Sequence, residues 1–167
     1  MYAVTSTNTR GVFIFFCFLL LFNFISCKTS FKTKSGKTYK ASSLEAAEIL
    51  DTLRVISIDL SYEIEAGRGN LLRKKLQNTS YKELIDKDDN ILAWNYDKGR
   101  EIGFKLHQDN GMYYPVSHVI ESLFHELAHS VSKTVGHGPE WKTNYDYLLK
   151  YKDKYTDILR KKNKVLI

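Results

Sequence analysis

Cysteine is nearly absent from this chain. There are two, Cys17 and Cys27, both in or beside one N-terminal hydrophobic run. The remainder has none, so no disulfide framework braces it and cysteine usage does not report its redox compartment. Internal repeats are lacking. So are a phosphate-binding Gly-rich loop and any Ser/His/Asp arrangement that can be placed, which leaves solenoid, nucleotide-binding and serine-hydrolase readings without support. A strong charge of one sign is lacking too: setting Arg10 aside, the 25 basic side chains become 24 against 19 acidic ones, a net of +5. That balance is mildly basic and does not by itself imply nucleic acid, since a solvated surface accounts for it.

What is present begins with residues 11–26, Gly-Val-Phe-Ile-Phe-Phe-Cys-Phe-Leu-Leu-Leu-Phe-Asn-Phe-Ile-Ser. The run is long for a signal-peptide core and slightly short for a comfortable membrane span. Phe and Leu occupy every face, which does not suit a core helix. Arg10 and the amino terminus stand upstream; Lys28, Lys32, Lys34, Lys37 and Lys40 stand downstream. The positive-inside bias therefore predicts an uncleaved single-pass anchor over residues 1–27, with the rest of the chain cytoplasmic. The alternative is a cleaved signal peptide and secretion, with Ser26-Cys27 as a loose cleavage site or Cys27 as a lipid acceptor. Residues 28–42, rich in Lys, Ser and Thr, read as a solvated basic linker whose charges can also lie against anionic headgroups. Asn78-Thr79-Ser80 is a glycosylation sequon that matters only if this side is lumenal.

About 140 residues beyond the leader are enough for one packed core. Residues 43–159 are expected to form it, with 160–167 as a basic tail. Ser42 and Glu45 have the spacing of a capping box. Behind them Ile49, Leu53, Ile56, Leu60 and Ile64 recur at helical spacing, predicting a helix over 43–65 that Gly67-Arg-Gly-Asn70 ends. A short helical piece over 71–77 and a turn at Lys87–Asn90 follow. Strands over 91–95 and 101–107 are joined by Asp97-Lys98-Gly99-Arg100 as a hairpin. A last long helix covers 139–151. The fold class is α+β: mainly helical, with a short hairpin, and preceded by one hydrophobic helix.

The chemistry lies in His125-Glu126-Leu127-Ala128-His129. Residues four apart share one face of a helix, so both imidazoles can address one spot, as a tetrahedral zinc ion requires. Glu126 then sits beside the metal, where its carboxylate can take a proton from activated water. Val116, Val119, Ile120, Leu123, Phe124, Leu127, Ala128 and Val131 give this helix an apolar side, and no Gly or Pro interrupts it. A third ligand has to come from beyond the helix. Eight residues after His129, Gly136-His137-Gly138-Pro139-Glu140-Trp141 supplies one: Gly136 can end the helix and Pro139 can start the next. His137 is then held on a tight turn, able to fold back on the ion. Three His and one open position describe a catalytic zinc site.

The two segments, His125-Glu-Leu-Ala-His129 and Gly136-His-Gly-Pro-Glu-Trp141, resemble the SprT/Spartan and WLM metallopeptidases, compact zincins some of which digest proteins crosslinked to DNA. The run from Asn90 through Asn95-Tyr-Asp-Lys-Gly-Arg100 to Leu106 is similar to the WLM hairpin ahead of the metal helix. The resemblance covers roughly residues 43–151. It implies that His125, His129 and His137 bind zinc, that Glu126 is the catalytic acid/base, and that the strand over 101–107 adds the substrate backbone as one more strand.

Other candidates are weaker. His118 lies about 10 Å up the helix axis from His125, too far to share its ion; His118 and His107 are expected to be surface or supporting residues. Tyr113, Tyr114 and Tyr145 could offer a hydroxyl to an oxyanion, though tyrosines mostly pack. Trp141 is expected to pack the last helix on the metal helix. Glu140 either supports His137 or is a favourable carboxylate in a first helical turn. The expected activity is zinc-dependent hydrolysis of peptide bonds in a protein or peptide substrate. Two alternatives are a DNA-stimulated protease of DNA–protein crosslinks, using the basic surface, and a silent binding module in which zinc braces three helices.

Overall fold

The computed structural model describes residues 29–85 and 91–166. The hydrophobic run at 11–26, with its anchor and signal-peptide readings, and the turn expected at Lys87–Asn90 lie outside the described residues. Among the described residues no helix is long and apolar enough to cross a membrane.

The fold is α+β, with five helices and one small mixed sheet among those residues. Strands β1 (Ser30–Lys32) and β2 (Thr38–Lys40) precede helix α1 (Leu44–Glu63) and helix α2 (Ala66–Leu76). Strands β3 (Ser80–Glu83), β4 (Ala93–Tyr96) and β5 (Glu101–Phe104) follow, then helices α3 (Val116–Val131), α4 (Pro139–Leu149) and α5 (Lys152–Lys162). The strand order is β1-β2-β3-β5-β4. Both end pairs are antiparallel hairpins, and β3 runs parallel to both of its neighbours. Alternation then sets one face: Tyr39, Tyr81, Ile102 and Phe104 point to the core and meet the apolar sides of α1 and α3.

The predicted α1 stripe is buried throughout, Ile49, Leu53, Ile56 and Leu60 fully and Ile64 at 5% exposure. Its cap differs by one residue. Ser43 is the N-cap and accepts from Ala46 N at 3.0 Å, so Glu45 falls at the second helical position and no capping box forms. The chain turns at Ile64 and Glu65, and the Gly67–Asn70 stretch expected to end a helix lies inside α2 instead. Close approach explains this: a Cβ on Gly69 would lie 2.4 Å from Ser61 O. The two helices can pack as a hairpin only with a bare Cα there, which outweighs the cost of about 1 kcal/mol for glycine in a helix.

Three other expectations are corrected. The stretch read as a solvated linker, 28–42, contributes the hairpin β1–β2, because Tyr39 and Ala41 bury their side chains on the core side while Lys32 and Lys40 face outward. The strand over 101–107 is shorter and interior, since β3 takes its second edge; β4 is the end strand on that side of the sheet. The helix expected over 139–151 is α4 and ends at Leu149, but it is not the last: α5 follows it, and the basic tail begins inside α5. Arg160, Lys161 and Lys162 are exposed there, yet Leu166 is buried at 2% exposure and ties the chain end to the core.

Candidate metal centre

Helix α3 carries His125 and His129 one turn apart and buries Leu123, Phe124, Leu127 and Ala128. It ends at Ser132 rather than at Gly136: the Ser132 amide still bonds to Ala128 O, and its hydroxyl donates to the same carbonyl at 2.7 Å. Gly136, with φ +82°, reverses the chain a few residues later. Gly138 caps α4 and Pro139 opens it. His137 consequently faces back toward α3.

The three imidazoles meet through the same atom. Nε2 of His125 lies 3.3 Å from Nε2 of His129 and 3.0 Å from that of His137, and the remaining pair is 3.1 Å apart. Neutral rings cannot bond every edge of such a triangle, because each Nε2 is either a donor or an acceptor and never both. The triangle matches a shared cation instead: nitrogens about 2.0–2.1 Å from one tetrahedral ion are separated by about 3.3 Å. Burial, with the neighbouring imidazole as the lesser cause, lowers His125 to about 4. Burial and then the other two rings lower His129 to about 4. Both rings are therefore neutral at physiological pH and offer lone pairs, as ligation requires. His125, His129 and His137 could hold a metal ion.

Trp141 does more than pack α4 on α3. Its indole lies 4.7 Å from the His125 ring, 5.4 Å from His129 and 4.4 Å from His137, so one side chain floors all three. Tyr145 stacks beneath it at 4.9 Å. Glu140 settles its two readings: it stands in the first turn of α4 and accepts from the amides of Lys133 and Thr134 at 3.0 Å, with no bond to His137. Those amide bonds hold its carboxyl below the usual range.

Glu126 is 3% exposed, and burial alone pushes its carboxyl up to about 8. It borders a cleft of about 290 Å³ with His125, Glu121 and Tyr145 on one side and Leu92 and Ala93 at the start of β4 on the other. Tyr145 donates its hydroxyl to Glu121 at 3.2 Å, which places it at the cleft rim. His118 lines the same cleft away from the His cluster. His107 sits elsewhere, bonded to buried Glu83 at 2.7 Å and packed on Tyr113 at 4.1 Å. Tyr114 lines a small recess beside His118. Asn95 on β4 was not singled out by sequence reasoning. Its amide donates to Glu126 O at 2.7 Å and to Ser130 Oγ at 2.9 Å, fixing the edge strand to the metal helix. Alternation along β4 gave no signal for it, since Trp94 and Tyr96 occupy the face opposite Asn95 and only the pairing of Asn95 with Ile102 puts it inward.

Comparison with curated proteins and with solved structures returned no match. The family model of the WLM domain matches residues 71–161, further toward the C-terminus than the resemblance read from the motifs and starting inside α2. The match spans more than half of the chain and takes in the β4–β5 hairpin, α3, the turn bearing His137, and α4. The chain belongs to the WLM domain family, which is related to the SprT-like zinc metallopeptidases.

Proposed function

We propose that this protein is a zinc metallopeptidase in which His125, His129 and His137 hold the ion and Glu126 is the general acid/base. The observation that carries the reading is the convergence of three Nε2 atoms, 3.0–3.3 Å apart, with the ring of His125 lining the same cleft as the buried Glu126. Zinc, when bound, supplies Lewis-acid polarisation of the scissile carbonyl and acidifies water. The chain supplies the rest. Glu126 takes the proton of the attacking water and returns it to the leaving amine. In this reading the free edge of β4, which starts in the cleft at Ala93, receives an extended substrate backbone as an added strand. Its partner is then a protein or peptide in extended conformation. Trp141 orients the imidazoles and shields one side of the cluster from water.

Purified full-length protein should bind one zinc, and His137→Ala should weaken or abolish binding. Equal zinc in both would move the third ligand elsewhere. No zinc in either would sink the enzyme reading. The crosslink-protease version predicts that DNA stimulates cleavage; its support is the family match. On sequence alone, residues 1–27 are kept as the membrane attachment, with the catalytic domain on the cytoplasmic side.

A further inference from the structure

The loop joining β4 to β5 adopts a backbone that its sequence disfavours. Asp97 (φ 49°), Lys98 (φ 54°) and Gly99 (φ 97°) are all in the left-handed region. Glycine enters it freely; residues with a Cβ do so at an energetic cost. Such strain persists only where surrounding structure over-determines it. Gly99 cannot be replaced without a clash, because a Cβ would lie 2.7 Å from Ser130 Oγ on the metal helix. Its amide donates to Asn95 Oδ1 at 2.6 Å. The loop tip is thus pressed against the end of α3.

Lys98 is what this placement serves. Its ammonium donates to Ser132 O at 3.1 Å and also to Thr134 O. Ser132 closes α3, where carbonyls lack helical partners and a cation is favoured. Glu140 grips the same segment from its other side, through the amides of Lys133 and Thr134. A cation therefore holds the carbonyls of Ser132 and Thr134, and an anion holds the amides of Lys133 and Thr134. His137 begins its return to α3 three residues beyond this clamp.

We propose that Lys98 is a positioning residue of the metal centre: its ammonium fixes the segment from which His137 is presented, and so slows metal release. The proposal rests on the metal reading above. It does not require Lys98 to touch the ion or the substrate.

The test variant is Lys98→Gly, which removes the ammonium while relieving the left-handed strain, so the fold is not put at risk. Arg100→Ala in the same loop is the control, its guanidinium being 70% exposed. The first measurement needs no metal: amide hydrogen exchange over residues 133–138 of the metal-free full-length chain. Lys98→Gly should exchange there roughly tenfold faster, as loss of a charge-assisted bond implies, with the rest of the protein and the control at wild-type rates. Unchanged exchange overturns the clamp. The second measurement is zinc release to a chelator, expected to be about tenfold faster in Lys98→Gly and restored in part by Lys98→Arg. Equal release with altered exchange overturns the link to the metal. A wild type that binds no zinc refutes the metal reading and that link with it, while the exchange result still decides whether Lys98 holds the segment.

Discussion

Two of the carboxylates buried among the described residues, Glu83 at 1% exposure and Glu126 at 3%, are treated in opposite ways. Glu83 ends β3 and is bonded on both oxygens, to His107 Nδ1 at 2.7 Å and to Ser42 N at 2.5 Å. Glu126 has no hydrogen bond to its carboxylate among the described residues, and burial raises it to about 8. A carboxylate that only joins a sheet to a helix start needs its lone pairs filled. One that exchanges protons with a reactant needs them free. On the proposed reading, the difference separates a structural carboxylate from a reacting one more sharply than burial does.

The largest effect should come from breaking the unpaired member. Glu126→Gln keeps shape and volume, so zinc content should be unchanged, while peptide hydrolysis should fall about 10²–10⁴-fold. A parallel loss of zinc would show that Glu126 helps hold the ion instead. The same variant sharpens the comparison without metal. Because the folded-state carboxyl sits above its ordinary value of 4.5, its contribution to stability is complete below 4.5 and is lost as pH rises through about 8. In metal-free protein the Tm of Glu126→Gln relative to wild type should therefore climb between those values. Taking the difference removes the terms from His125 and His129, which both proteins share. A flat difference would show that the carboxylate finds a partner.

The paired member predicts the reverse. Glu83→Leu leaves the Ser42 amide and the His107 ring without their acceptor and should cost about 1–3 kcal/mol by denaturant unfolding. Activity per folded molecule should not change, because Glu83 and His107 stand outside the metal cleft. A fall in kcat with stability intact would break the division of roles drawn here.

The same division governs what could be read from the sequence. His125, His129 and Glu126 are fixed by helical spacing, and Gly136, Gly138 and Pro139 mark the turn that returns His137; each is a local rule acting over a few residues. The α1 stripe is local too. The sheet is not. Strands β1, β2 and β3 are three or four residues long, and single buried tyrosines, Tyr39 and Tyr81, mark their inward faces amid Lys, Ser and Thr. A stretch so polar reads as linker until its parallel pairing, Lys40 with Lys82 and Tyr81 with Ile102, is known. That pairing also decides which strand is the edge, so the stretch expected at the edge over 101–107 is interior and β4 lies outside it. Helix α5 escaped for a related reason: Tyr155 and Leu159 are few apolar residues in a basic run, and their burial depends on α1 and α3 being beside them.

A third carboxylate, Glu121 at the cleft rim, marks the weak end of the series. It is paired, with Lys152 Nζ at 2.6 Å and Tyr145 OH at 3.2 Å, but its side chain is 44% exposed. The lysine, more than any other group, holds its carboxyl below the usual value. The contribution is present above the ordinary carboxylate pKa and lost as pH falls below it. Water and salt screen such a pair, so Lys152→Ala should cost less than about 1 kcal/mol, and added salt should shrink the difference further. Glu121 would retain the Tyr145 hydroxyl, and Trp141 would retain the tyrosine stacked beneath it, so zinc affinity should be unaffected. A loss comparable to that of Glu83→Leu would mean that exposure, measured at the rim, overstates how well water reaches this pair. Pairing, rather than burial, would then govern all three carboxylates.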